Sequence, residues 1–184
     1  MRLPDIILLN GSTSSGKSSI ARGLLAALPE PYLHVGVDTI FPWLPPAWDG
    51  KPAGIQLVPL PDGSMPVRVG PGGAKVLAGW RRMIRAGVDA GLRFVVDEVL
   101  LLPGDFPDWR AVLAGLDVLW VGVRCDLAEL QRREIARGDR GVGQALAQYP
   151  VVHSYGPYDL EVDTTRTDTA ACVAAILTEL RRAA

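Results

Sequence analysis

The octapeptide Gly11-Ser12-Thr13-Ser14-Ser15-Gly16-Lys17-Ser18 constrains this chain more than any other stretch. Two glycines flank four residues and are followed by Lys and Ser, which is the pattern of a phosphate-binding loop. Glycine at both ends lets the backbone turn tightly and come close to an anion. The loop amides and the start of the next helix then direct partial positive charge at a phosphate. Lys17 can reach the β- and γ-phosphates, and the Ser18 hydroxyl can ligate Mg²⁺. With Ser19, these residues are the candidate nucleotide-binding set. The context agrees with the motif. The apolar run Ile6-Ile7-Leu8-Leu9 reads as a strand, and Ile20, Leu24, Leu25 and Leu28 recur at helical spacing over residues 18–28.

Strand-like and helix-like segments alternate along the rest of the chain, the signature of an α/β fold with a parallel sheet covered on both faces. Residues 32–37 form a second strand ending in Gly36-Val37-Asp38-Thr39. Asp38 thus falls at the carboxyl end of a strand, where open α/β sheets place their ligands. The other reading of Asp38 is the N-cap of a helix starting near Thr39. Residues 41–73 are irregular, dense in Pro and Gly, and carry Phe41, Trp43 and Trp48. Residues 54–58 and 66–69 can pair as a hairpin across Pro61-Asp62-Gly63-Ser64. This long insertion reads as a wall around a small molecule, with aromatic packing onto the core as the plainer alternative. A helix follows over residues 74–90, with Val76, Leu77, Trp80, Ile84 and Val88 on one stripe and Arg81, Arg82 and Arg85 on a face expected to be solvated.

Phe94-Val95-Val96-Asp97-Glu98-Val99 is a buried strand ending in acids. It resembles a Walker B element, in which Asp97 would help hold the Mg²⁺ shell, while Glu98 shares that role or faces solvent. A helix over 106–116 leads to a fourth strand over 117–125, and a charged helix spans 127–137. Arg132, Arg133, Arg137 and Arg140 form the densest positive cluster. Beside a phosphate loop, such a cluster suits a lid (residues 127–149) that neutralises phosphoryl charge. The plainer reading is a solvated face partnered by Glu129 and Glu134. A fifth strand over 160–163 precedes Thr164 and Thr165, and a last helix spans 168–180.

The chain has 184 residues, suited to one domain, and a net charge of −1. No basic excess exists to neutralise nucleic-acid phosphates, so no nucleic-acid partner is expected. No run reaches the roughly 18–20 apolar residues of a membrane span, and no signal-peptide pattern opens the chain, so a cytoplasmic protein is expected. Cys125 and Cys172 read as buried thiols. Self-association into a homo-oligomer is left open. His34 and His153 are isolated and read as structural.

Asn10 is the only Asn, so the Asn-Lys-x-Asp guanine-reading motif is excluded. A compact kinase of a small-molecule alcohol suits the length and the arginine-rich segment best. The runs Gly11 to Ser18, Gly36-Val37-Asp38-Thr39, Asp117-Val118-Leu119-Trp120-Val121-Gly122-Val123-Arg124-Cys125-Asp126, Arg137-Gly138-Asp139-Arg140, Val151-Val152-His153 and Tyr158-Asp159-Leu160-Glu161-Val162-Asp163-Thr164-Thr165 together resemble the chloramphenicol phosphotransferase family. The resemblance spans most of the chain and is poorest over residues 41–73. It implies a three-layer P-loop kinase fold with a five-stranded parallel sheet of order 2-3-1-4-5. It also implies ATP and Mg²⁺ as cofactors, and γ-phosphate transfer to an alcohol of the antibiotic. On that resemblance Asp38 is the general base, the loop binds ATP, Arg133, Arg137 and Arg140 are lid charges, and Thr164 and Thr165 lie near the adenine. The alternatives are a kinase of another metabolite or nucleotide sugar (shikimate-, gluconate- or zeta-toxin-like), or a nucleotide-binding regulator without catalysis.

Overall fold

The computed structural model describes residues 1, 3–138 and 141–182. The sheet is built on β1 (Ile6–Asn10), every residue of which is buried. β5 (Phe94–Glu98) and β6 (Val118–Arg124) pair with it on either side, β2 (Leu33–Gly36) lies outside β5, and β7 (Leu160–Asp163) lies outside β6. All four pairings are parallel. Counted among the sheet's own strands the order is 2-3-1-4-5, as the resemblance implies. The remaining strands, β3 (Ile55–Leu57) and β4 (Val67–Val69), make the antiparallel hairpin expected within the insertion.

Alternation along the strands divides the core. Ile7, Leu9, Val95, Val121 and Val123 pack with α1 (Lys17–Ala27) and α6 (Thr169–Arg182) on one face. Ile6, Leu8, Phe94, Val96 and Trp120 pack on the other with α2 (Pro71–Asp89) and α3 (Asp105–Val112), whose Trp80 and Trp109 meet edge to face at 5.5 Å. Both sheet faces are therefore apolar, and the strands read as near-continuous hydrophobic runs.

Helix α2 starts at Pro71, three residues earlier than its apolar stripe predicts, with Pro in its first turn. Gly72 and Gly73 are helical rather than irregular, and they are glycines because larger residues do not fit. A Cβ at Gly72 would stand 2.6 Å from the Trp48 ring, and one at Gly73 would stand 2.6 Å from the Gly54 carbonyl. The glycines that read as loop punctuation are close-approach positions.

Register positions the site. Gly36 pairs with Asp97, Leu9 pairs with both Asp97 and Val121, and Asn10 pairs with Glu98. The carboxyl ends of β2, β5 and β1 are therefore level. The loop leaving β1, the segment leaving β2 and the two acids of β5 meet on one edge of the sheet. Asn10 locks this edge: its Nδ2 donates to the Val152 carbonyl (2.6 Å) and the Tyr158 hydroxyl (2.7 Å), and its Oδ1 accepts from Leu100 N–H (2.9 Å). Among the described residues no helix is long and apolar enough to cross a membrane. Cys125 and Cys172 are buried free thiols.

Candidate active site

Gly16 caps α1 at φ 91°, and Ser14, at φ 60°, is the one non-glycine residue with positive φ among those described. Such conformations are held by surrounding structure and cluster at functional loops. Gly11 has a different reason to be glycine: a Cβ there would stand 2.5 Å from the Val123 carbonyl. It lets the loop cross β6, and it does not line the cavity that the loop encloses. Ser19 N–H donates to the Gly16 carbonyl (3.0 Å), and the start of α1, from Gly16 to Ser19, lines that cavity, where a helix N-terminus favours an anion. Lys17 is buried, and its Nζ donates to the Gly11 and Ser12 carbonyls at 2.8 Å each and lies 3.7 Å from Asp97 Oδ1.

Ser18 Oγ donates to Asp97 Oδ2 at 2.5 Å. His34 Nε2 lies 3.7 Å from the same oxygen, at ion-pair range but outside hydrogen-bond contact. Burial pushes the Asp97 carboxyl up, but the Lys17 ammonium, the His34 ring and the Ser18 hydroxyl outweigh it and hold the group below its ordinary value. The hydroxyl and carboxylate are hard oxygen donors of the kind Mg²⁺ takes.

Asp38 stands in the first turn of a 3₁₀ helix (Val37–Trp43) whose N-cap is Gly36, with no side-chain cap bond. The capping reading of Asp38 is therefore overturned: Thr39 Oγ1 reaches back to the Gly36 carbonyl (2.7 Å), and the Asp38 carboxyl is exposed at the cavity edge.

Helix α4 (Leu127–Arg137) brings Arg133 across the loop. Its Nη2 donates to the Thr164 carbonyl (2.8 Å), its Nη1 donates to the Thr164 hydroxyl (3.2 Å), and Glu129 orients its Nε (2.7 Å). Arg132 and Arg133 together draw the Glu129 carboxyl down to about 2. Arg137 lines the same cavity, while Arg140 lies outside the described residues. Glu134 is not the surface partner expected. It is buried, and its carboxylate accepts from Gly143 N–H (2.8 Å) and Ala145 N–H (3.0 Å), fastening the start of α5 (Gln144–Gln148). At the end of α5, Gln148 Oε1 accepts from Thr13 N–H (2.7 Å) and the Ser12 hydroxyl (3.2 Å), tying that helix to the phosphate loop.

Besides a cavity of about 390 Å³ behind Ser12 and Ser15, two cavities flank the loop. One, of about 720 Å³, runs from Thr13–Ser19 past Asp97, Arg133 and Arg137 to Thr164 and Thr167–Thr169. Ser12 faces Gln148 instead, and Thr165 is turned to the start of α4, where its hydroxyl accepts from Asp126 N–H (2.7 Å). Neither lines this cavity, whereas Thr167 and Asp168 do. The second cavity, of about 470 Å³, lies among the insertion, β5 and α5. Of the insertion's aromatic residues only Phe41 lines it. Trp43 is half exposed, and Trp48 packs against Gly72. Thr13, Val37, Asp38 and Val99 line both cavities.

The polar groups of this second cavity were not legible as such. Arg81 is buried rather than solvated, donating to Asp105 (2.6 Å) and Asp108 (3.0 Å). Glu98 is buried, accepts from Trp109 Nε1 and Val99 N–H at 2.8 Å each, and is pushed by burial up to about 7. The chloramphenicol phosphotransferase-like family matches residues 4–181. The chain belongs to that family. A protein of Mycobacterium tuberculosis strain H37Rv named "Putative O-phosphotransferase" is 33% identical over 177 residues, covering 88% of this chain and 76% of the relative. Solved structures share the fold at low identity. A gluconokinase from Sinorhizobium meliloti 1021 superposes with a TM-score of 0.64 at 19% identity over 100% of this chain and 95% of its own. An APS kinase of Mycobacterium tuberculosis, solved with AMPPNP and APS, gives 0.62 at 14% over 98% and 99%. A shikimate kinase from Acinetobacter baumannii, solved with shikimate, gives 0.59 at 12% over 98% and 94%. The family is one of phosphotransferases, and the fold is that of the P-loop kinases.

Proposed function

We propose that this protein transfers the γ-phosphate of Mg·ATP to a hydroxyl of a small molecule, with chloramphenicol or a related antibiotic as the first candidate acceptor. The observation that carries the reading is Asp38, the acid that lines both cavities. A group at the junction of a nucleotide site and an apolar site is where a base for phosphoryl transfer is needed. Lys17 and the loop amides would bind the β- and γ-phosphates, Lys17 moving from the Gly11 and Ser12 carbonyls to do so. Ser18 and Asp97 would hold Mg²⁺, which supplies charge neutralisation at the phosphates when bound. Asp38 orients the acceptor hydroxyl and takes its proton. Arg133 and Arg137, with Arg140, stabilise phosphoryl charge, and α5 and the insertion keep water out.

The test is phosphorylation of chloramphenicol in the presence of ATP and Mg²⁺, followed by mass spectrometry. A product heavier by one phosphoryl group, absent without either cofactor, is the expected result. If a broad panel of alcohols, sugars and acids gives no phosphorylated product while ATP binds tightly, the chain is a nucleotide-binding regulator.

A further inference from the structure

The cavity beside the phosphate loop has walls that ask for an apolar body, among them Phe41, Ile55, Leu57, Val67, Val69 and Leu101. Its polar groups are few, and most have their hydrogen bonds allotted within the protein. The two terminal nitrogens of Arg81 bind Asp105 and Asp108, which leaves only its buried Nε without a partner. Asp105 accepts from Arg81 on its Oδ1 and from both Leu101 N–H (3.0 Å) and Leu102 N–H (2.9 Å) on its Oδ2, pinning the segment after β5. Gln148 Oε1 is taken by Thr13 and Ser12. Glu98 differs. It lines the cavity, its two oxygens are fixed by one donor each, Trp109 Nε1 and Val99 N–H, and a carboxylate oxygen accepts two. It is rigidly held and retains accepting capacity.

We infer that Glu98 is the acceptor-reading group of this cavity, taking a hydrogen bond from a second polar group of an otherwise apolar alcohol (a hydroxyl, amide N–H or ammonium), and that the site rejects acceptors carrying a carboxylate. The rejection follows from charge. Among the described lining residues Arg81 is the sole cation, and two carboxylates already neutralise it, while Asp38, Glu98 and Asp105 are acids. An acceptor carboxylate entering here finds a guanidinium already balanced by two carboxylates, with only its Nε unpartnered, and meets the like charge of Asp38 and Asp105. This deepens the proposed function and rests on that cavity being the acceptor site. It divides the acceptor classes: neutral or basic alcohols fit, and hydroxy acids do not.

The experiment measures binding to the full chain at pH 8, above the value to which burial pushes Glu98, by ligand-observed NMR, using probes that share a phenyl body and a hydroxyl. N-acetylphenylalaninol carries an amide N–H, its N-methyl derivative has none, phenylalaninol carries an ammonium, and 3-phenyllactate carries a carboxylate. The first and third are expected to bind at least ~10-fold more tightly than the second and fourth, as a hydrogen bond to a charged group warrants. In Glu98→Gln that advantage should fall to about threefold or less, because half of the carboxylate's accepting capacity becomes a donor. The thermal shift given by Mg·AMPPNP should persist and report a folded variant. Comparison within the wild type needs no variant. If 3-phenyllactate or the N-methyl probe binds wild type as tightly as N-acetylphenylalaninol, or no probe binds, the inference is overturned. Selective binding through Glu98 with no phosphorylation of any alcohol would instead sink phosphotransfer and leave the Glu98 assignment standing.

Discussion

Ser18 Oγ and Asp97 Oδ2 are 2.5 Å apart although 79 residues separate them in the chain. The contact exists because Leu9 and Asp97 are in register on β1 and β5, so that the first turn of α1 lies over the end of the neighbouring strand. A hydroxyl and an ionised carboxylate, with an ammonium 3.7 Å from the other oxygen, are held there together.

Asp97→Asn should therefore act on metal use. The variant loses the charge that the pair presents, and the rate of phosphotransfer should fall roughly 10²-fold or more, the scale of removing one electrostatic stabiliser. The Mg²⁺ concentration for half-maximal activity should rise. A Mg²⁺ titration of the initial rate reads both, and an unchanged midpoint would remove Asp97 from the metal site.

Asp38→Asn should lose roughly 10²–10⁴-fold in kcat, the usual contribution of a positioned base. Nucleotide affinity should stay within a few-fold, because the loop and Lys17 are untouched. Calorimetry with AMPPNP alongside steady-state rates separates the two effects. Turnover at the wild-type rate would refute the role of Asp38.

Arg81→Met should destabilise the fold. It leaves the buried Asp105 and the exposed Asp108 without their counter-charge, and breaking a buried pair such as Arg81–Asp105 costs about 3–5 kcal/mol. At about 2–4 °C per kcal/mol for a chain of this size, Tm should drop by at least roughly 6 °C. A Tm unchanged in differential scanning fluorimetry would show that the α2–α3 tie contributes nothing.

His153 makes stability depend on pH. Burial first, then the Arg124 charge, holds its ring down to about 4, and Nδ1 lies 2.9 Å from the Tyr158 hydroxyl. The unfolded ring titrates near 6.5, so between pH 6.5 and 4 the unfolded chain binds more protons, and stability falls as pH falls through that window. Because the ring is only partly buried, the loss attributable to it should be on the order of 1–2 kcal/mol. Urea midpoints at pH 7 and pH 4.5 for wild type and His153→Gln isolate it: the wild type should lose more. Parallel losses would assign the pH effect to other groups.

Much of this site is readable along the chain. Each piece of the loop, Asp38 and Asp97 follows an apolar run, and a strand end with a turn or an acid is a local signal. Arg81, Glu98 and Glu134 escaped for one shared reason. Each is a charged residue in a segment whose own pattern allows a solvated face, and each is buried by an element elsewhere: Asp105 and Asp108 of α3, Trp109 of the same helix, and the start of α5. Thr165 is turned from the cavity by the bond from Asp126 N–H to its hydroxyl, a contact between distant segments that no local pattern shows. The aromatic wall shrank to Phe41 because Trp48 is consumed in seating Gly72.

The sequence by itself determined the strands, the phosphate loop and the strand-end acids, since apolar runs and a short motif with its flanks act within a few residues. Only the tertiary structure decided which charges are buried, which are already paired and which of them face the second cavity. Those properties depend on register and on helix packing across the sheet, and no local pattern of residues encodes the neighbour that arrives from the other end of the chain.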